Sequence, residues 1–191
     1  MLTSILQIKG KVKMSSQIPV VVRKAEEKDL PAMAKINANV FSGDRDNPES
    51  AEKWMHCFFN AYPLYQYFVV EVDNTIAGYI GWQFHGGFLR SSPVIELEQL
   101  GVSKVYQGHK LGPKLTEESM KEVVRWCRKN NNRIESHIYI IVWAYENNDN
   151  AKKIYREKFS EGLLGMRIQH GDRAETMLRL KVPAILPVRE E

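Results

Sequence analysis

Cysteine is scarce in this 191-residue chain: the two present, Cys57 and Cys127, lie far apart, with no Cys-x-x-Cys pair and no Cys/His cluster at metal-ligand spacing. That excludes a disulfide scaffold and a structural zinc site, and it fits a reducing, cytoplasmic setting. Long hydrophobic runs are also missing. The longest, Ile138–Tyr145, has eight residues, whereas a helix needs about 20 to cross a bilayer; it reads as a buried strand, and no membrane partner is expected. Charge of one sign is not gathered anywhere, since 27 Lys and Arg are interspersed with 23 Asp and Glu. A nucleic-acid binder would show a basic stripe with interleaved aromatics. The net charge of +4 implies only a mild attraction for anionic ligands. Internal repeats and low-complexity tracts are absent as well.

What remains is an ordinary globular composition, 43% hydrophobic and 26% charged, long enough to bury a proper core. Residues 1–17 read as an N-terminal extension outside the fold, disordered or derived from an upstream start or an added leader. MLTSILQIKGKVK carries three lysines and no acid, but it lacks the arginine content and length of a transit peptide. One domain is expected over residues 18–182, followed by a proline-interrupted tail, 183–191.

Periodicity divides that domain regularly. Val20–Arg23 reads as a strand, and a helix starts at Asp29 with Pro31 in its first turn. A second helix runs from Glu49 to Ala61, with Trp54, Cys57, Phe58 and Ala61 on one side and Pro63 as its stop. Gln66–Val72 and Ile76–Phe84 flank Asp73-Asn74-Thr75 as a hairpin. Val94–Val102 is the fourth strand. Leu111, Leu115, Met120, Val123, Val124 and Cys127 mark a long helix. His137–Ala144 follows as a strand, Asn148–Lys158 as a short helix, and Leu163–Gln169 and Ala174–Lys181 as a final hairpin. This is an α/β chain of α+β type with a mixed sheet.

The most informative stretch is LGVSKVYQGHKLGPKL, residues 100–115, where the fourth strand ends in a glycine-bearing turn that opens into the long helix. The first N–H groups of a helix have no intrahelical partners and sit at the positive end of its dipole, so such a turn cradles an anion. Gly108 and Gly112 permit close backbone approach, and Lys110 and Lys114 add positive charge.

Gln107, Gly108, His109, Lys110, Leu111 and Gly112 follow a Gln/Arg-x-x-Gly-x-Gly/Ala pattern, and Asn148, Ala151 and Tyr155 follow Asn-x-x-Ala-x-x-x-Tyr after the next strand. In order and spacing the chain from Val20 to Val182 resembles the GNAT acyltransferases, which use acetyl-coenzyme A. Two positions depart from the pattern: Lys110 stands where the family has its first motif glycine, and Pro113 lacks an N–H.

The resemblance implies a mixed, mostly antiparallel central sheet of six to seven strands with about four helices and with the fourth and fifth strands splayed. It implies that main-chain groups of Leu100 and Val102 pair with the pantetheine arm of acetyl-CoA in a strand-addition mode. Residues Gln107, Gly108, His109, Lys110, Leu111 and Gly112 would hold the pyrophosphate, with Asn148 and Tyr155 at the thioester end. Lys114, Lys152, Lys153 or Arg156 would meet the adenosine phosphate.

The implied reaction is acetyl transfer to a primary amine. An amine of lysine type, with a reference pKa of about 10.4, is neutral in only about one molecule in 2,500 at pH 7, so a base must take its proton. Glu96 and Glu98 share one face of their strand by period-two alternation, and either fits that role; Glu98 is slightly preferred, although both also read as the solvated face of a half-buried strand. Leu100 N–H is the expected oxyanion donor. Tyr155, at a reference pKa of about 10 against about 8.5 for a thiol, is the expected acid for the leaving thiolate. Asn148 reads equally as a helix N-cap. His85, His109 and His137 form no metal or triad spacing.

The acceptor site would fall at residues 42–49, 85–93 and 169–173, with Asp44, Asp46, Glu49 and Glu52 as candidate attractors of a cationic amine, or simply as acids complementing a helix dipole. A monomer or homodimer is expected. A different class, a catalytically weak acyl-CoA sensor or partner protein with the same fold, draws on the departures at Lys110 and Pro113.

Overall fold

The structure, a computed structural model, describes residues 7–8, 11–12, 18–41, 47–86, 89–134, 137–145, 148, 149, 151, 153, 155, 166–170 and 173–183. These contain nine strands: β1 (Gln7–Ile8), β2 (Lys11–Val12), β3 (Val20–Lys24), β4 (Tyr65–Val72), β5 (Thr75–His85), β6 (Val94–Val102), β7 (His137–Tyr145), β8 (Met166–His170) and β9 (Arg173–Pro183). Three α-helices accompany them: α1 (Leu30–Val40), α2 (Pro48–Asn60) and α3 (Leu111–Asn130). The counts differ from the expected six to seven strands and about four helices. Part of the difference is β1 and β2, an antiparallel pair in the segment expected to lie outside the fold. The predicted helix over 148–158 is described only at Asp149, Ala151, Lys153 and Tyr155, all helical.

Two compact units can be distinguished, Met1–Gly81 with Gln99–Ser119, and Trp82–Glu98 with Met120–Glu191. In the first, the strand order is β3-β4-β5-β6. β3 and β4 are antiparallel from Val20↔Val72 to Lys24↔Phe68. The β4–β5 turn is made by Asp73 and Asn74, both at positive φ (51° and 60°), the conformation a two-residue hairpin demands and Asn and Asp tolerate. Leu30, Met33, Ala34 and Ile36 of α1 and Ala51 and Met55 of α2 pack on Tyr65, Tyr67, Val69 and Tyr79. The opposite face receives the start of α3, where Gly112 lies near the side chains of Val102 and Leu100. Arg23 ties the layers by donating to Asp29 (2.6 Å), just before α1, and to Glu71 on β4.

Helix α2 starts at Pro48 with Asn47 Oδ1 accepting from Glu49 N–H at 2.9 Å. Its buried residues are Ala51 and Met55, with Trp54, Phe58 and Phe59 partly packed. Cys57, expected on the apolar side, is exposed, and its thiol meets the Lys53 carbonyl. Cys57 lies two residues past Met55, about 200° around a helix with 3.6 residues per turn, which turns it away from the buried stripe.

In the second unit, β6 pairs with β7 in parallel, and β7 is antiparallel to β9 along its whole length, His137↔Pro183 to Tyr145↔Glu175. β8 pairs with β9 from Met166↔Met177 to His170↔Arg173. Phe84 of β5 packs edge-on against Trp126 of α3, ring centroids 5.3 Å apart, and Val123, Val124 and Cys127 of that helix are buried.

Candidate functional site

Along β6, burial alternates without a break: Ile95, Leu97, Gln99 and Gly101 are buried, while Val94, Glu96, Glu98, Leu100 and Val102 are half-buried. Period-two pleating therefore sets the predicted carboxylates, Glu96 and Glu98, on one half-open face of the strand in the second unit, and the predicted tether-pairing positions, Leu100 and Val102, on one half-open face in the first. The ladder from β6 to β7 covers Val94↔Tyr139 to Leu97↔Val142. Beyond it, in the same unit, Glu98 and Trp143–Tyr145 continue their strands without pairing to each other among the described residues. Among the described residues the ladder thus ends at Leu97, between the two carboxylates.

At its far end β6 runs into the turn. Ser103 N–H donates to Ala77 O at 2.9 Å, Lys104–Tyr106 form a single 3₁₀ turn, and Tyr106 is buried. Gln107 Nε2 donates to the Val102 carbonyl at 3.0 Å, so that carbonyl, expected to be open to a ligand, already has a partner. Gly108 adopts φ 89°, and a Cβ there would meet nothing within 4 Å, so the need for glycine is conformational and the space beside it is open. Lys110 is left-handed too, φ 58°. This accounts for glycine as the usual residue of the pattern: the backbone bends there as it would for glycine, and the lysine side chain is exposed. Helix α3 begins at Leu111, and Lys114 N–H donates to Lys110 O at 3.2 Å. The N–H groups of Leu111 and Gly112 thus precede the intrahelical ladder and have no acceptor within it. Pro113 supplies none. His109 is half-buried. Lys114, a candidate for the outer phosphate, pairs with Glu118 at 2.9 Å, and Lys152 and Arg156 lie outside the described residues.

The first unit therefore holds Leu100, Val102 and Gln107–Gly112, and the second holds Glu96, Glu98, Asn148 and Tyr155. Asn148 Oδ1 accepts from Ala151 N–H at 3.0 Å, which is an N-cap. Tyr155 is buried, and burial pushes its hydroxyl up to about 12. Glu96 Oε2 lies in direct contact with Nε2 of His85, at the end of β5. This histidine was given no role by sequence reasoning, because nothing in a lone His reveals a partner on the neighbouring strand.

Of the acids predicted for the acceptor, Asp44 and Asp46 lie outside the described residues. Glu49 is bound by Lys53 of the same helix at 2.8 Å, and Glu52 is half-buried. A cavity of about 380 Å³ in the first unit, lined by Lys24, Ala25, Phe59, Tyr62, Tyr65, Gln66 and Tyr67, includes none of the predicted site residues. Among the described residues, no helix is long and apolar enough to cross a membrane.

The sequence profile of the acetyltransferase (GNAT) family matches residues 30–160, a span that contains the β6 row, the turn, Asn148 and Tyr155. The chain belongs to the GNAT acetyltransferase family. Solved GNAT structures share its mixed α/β fold. The ribosomal-protein-S18-alanine N-acetyltransferase from Escherichia coli is 16% identical, with a TM-score of 0.62 over 91% of this chain and 99% of that one. The ribosomal-protein-alanine N-acetyltransferase from Brucella melitensis is 17% identical, TM-score 0.60, over 85% and 99%. RimL, a ribosomal L7/L12 alpha-N-protein acetyltransferase in complex with coenzyme A, is 13% identical, TM-score 0.65, over 89% and 97%. Among curated proteins, none matches this GNAT chain in sequence.

Proposed function

We propose that this GNAT chain is an acetyl-CoA-dependent N-acetyltransferase acting on a primary amine. The observation that carries the reading is the turn after β6, left-handed at Gly108 and Lys110 and opening directly into a helix start. The residues suit the ligand. Gly108 leaves open space, the amides of Leu111 and Gly112 are donors outside the helix ladder, and Lys110 is exposed beside them. These would hold the diphosphate, with Gln107 and His109 flanking it and the main chain of Leu100 and the N–H of Val102 along the tether.

Acetyl-CoA supplies an acyl group activated as a thioester. The chain has to take a proton from the amine and to offer one near sulfur. Glu96 or Glu98 accepts the amine proton on a carboxylate oxygen. Tyr155 Oη is the donor for the sulfur end. Its raised pKa keeps that hydroxyl protonated at every working pH.

The test is thiol release from acetyl-CoA against polyamines, amino acids, amino sugars and short peptides. An alanine-first peptide belongs in the panel because two structurally similar proteins are ribosomal-protein-alanine N-acetyltransferases. Release with at least one amine is expected. Saturable binding of acetyl-CoA with no release for any amine would favour the second reading, an acyl-CoA sensor, to which the donor missing at Pro113 lends support.

A further inference from the structure

The carboxylate of Glu96 is mostly withdrawn from water, its side chain 14% exposed, while the imidazole that touches it, His85, is 40% exposed. A carboxylate in that position needs a donor, and His85 Nε2 is in place to be one. The contact uses Oε2; among the described residues Oε1 has no hydrogen-bond partner.

The imidazole is itself held. His85 closes β5, next to Phe84, which is locked against Trp126. Gly86 follows at φ 66°, where a Cβ would come within 2.7 Å of the Arg90 guanidinium carbon, so the arginine covers the glycine. The Arg90 carbonyl in turn accepts from Asn131 Nδ2 at 2.8 Å, and Asn131 Oδ1 accepts from Arg133 N–H at 2.9 Å. His85 thus has a packed neighbour on either side. Among the described residues, Glu96 on β6 is in contact with His85, and Arg90 on the connecting loop lies against the adjacent Gly86.

We propose that His85 is a positioning residue for Glu96, and that Glu96, rather than Glu98, is the proton acceptor. The inference rests on the acetyltransferase reading. His85 donates its Nε2 hydrogen to Oε2, which fixes the carboxylate plane and presents Oε1. The proton leaves the amine nitrogen for Oε1, and the nitrogen keeps the electron pair with which it attacks. The imidazole keeps its own proton throughout. Glu96 pairs with Ile141, one step before the last β6–β7 pair among the described residues, so its carboxylate belongs to the end of that ladder.

Two measurements on the full chain test this. The first is steady-state kinetics with acetyl-CoA and the best amine of the panel. Glu96→Gln should lower kcat by about 100-fold or more, in the range of a lost general base. His85→Ala should lower kcat roughly tenfold, with KM for acetyl-CoA within a factor of two. His85→Gln, which restores an N–H donor, should recover most of that loss. The double variant His85→Ala/Glu96→Gln should be no slower than Glu96→Gln alone. Full kcat in His85→Ala, additive losses, or a fall in Tm that tracks kcat in both His85 variants would overturn the proposal. The second measurement needs no turnover: the imidazole ¹⁵N spectrum should show His85 protonated at Nε2, with a slowly exchanging N–H lost in Glu96→Gln. An Nδ1–H tautomer would overturn the positioning role. Absence of thiol release with every amine, while the N–H signal is present, would instead remove the enzymatic reading on which the role depends.

Discussion

The side-chain amide of Gln107 donates to the main-chain carbonyl of Val102 at 3.0 Å, tying the end of strand β6 to the turn that follows it. The motif glutamine therefore acts on the backbone of its own chain and shapes the turn. Its amide is exposed, so the bond contributes about 1 kcal/mol. Gln107→Ala should weaken coenzyme A binding roughly fivefold by calorimetry, with little change in Tm. Unchanged affinity would show that the turn keeps its shape without the tie.

Gly112 separates the needs of the fold from those of the ligand. A Cβ there would lie 3.9 Å from Val102 Cγ2 and 4.0 Å from Leu100 Cδ2, an ordinary contact. Alanine also favours a helix over glycine by about 1 kcal/mol. Gly112→Ala should raise Tm by roughly 2 °C. The added methyl lies against the half-open row, so coenzyme A affinity should fall about tenfold or more. A variant that gains stability and binds as well as the parent would remove this glycine from the cradle.

Lys110 carries backbone strain, since its φ of 58° costs an L-residue about 1–2 kcal/mol. Lys110→Gly relieves it, offset in part by the greater freedom glycine has when unfolded. Lys110→Ala keeps the strain and deletes the charge. Tm should rise in the glycine variant and not in the alanine variant. Coenzyme A affinity should drop in both, by a similar factor that shrinks at high salt. Equal Tm values in the two variants would contradict the strain argument.

Tyr155 has a hydroxyl pushed up to about 12 by burial, against about 8.5 for a thiol in water. Proton transfer to a hydrated thiolate is uphill by ~5 kcal/mol. The reference values suggest a smaller gap, and burial widens it. A thiolate taken out of water beside the tyrosine rises as well, which narrows the gap again. Tyr155→Phe should lower kcat about tenfold or more and leave coenzyme A affinity within a factor of two. The pH–rate profile of the parent should show no alkaline loss from Tyr155 below about pH 11. The folded-state pKa lies above the unfolded one, so its contribution to stability is complete below pH 10 and is lost as pH rises towards 12. A Tm that stays flat over that interval, with other groups accounted for, would contradict the burial.

The two thiols should react very differently. Cys127 is buried and its pKa is pushed up to about 11 by desolvation, which suppresses the reactive thiolate. Cys57 is exposed. A disulfide reagent should titrate one thiol quickly, and that signal should vanish in Cys57→Ser. Two fast thiols in the native protein would contradict the burial of Cys127. The same substitution clears the background from thiol-release assays.

Much of this was legible in the sequence because it is local. The alternation of Val94–Val102 predicted one face carrying Glu96 and Glu98, and the burial of β6 follows that period residue by residue. The turn from Gly108 was legible because glycine, lysine and a helix start coincide. What stayed hidden is what neighbouring strands decide. His85 meets Glu96 at a separation of eleven positions in the sequence, and no periodicity connects them. The conformation of Lys110 was hidden because lysine gives no sign of a positive φ. Cys57 was misplaced because its helix has aromatic residues around much of its circumference, so the apolar stripe has no sharp edge. The pair β1–β2 escaped because two-residue strands carry no alternation.

The central claim is that the Gln107–Gly112 turn grips a diphosphate. Titration of the ¹⁵N-labelled protein with coenzyme A, followed through its backbone amides, tests it most directly. Saturable shifts concentrated at Gly108, Lys110, Leu111 and Gly112 are predicted, and they should be reproduced by 3′,5′-ADP only weakly, because that fragment lacks the diphosphate. Saturation with these amides unmoved, or no saturation at all, would contradict the account.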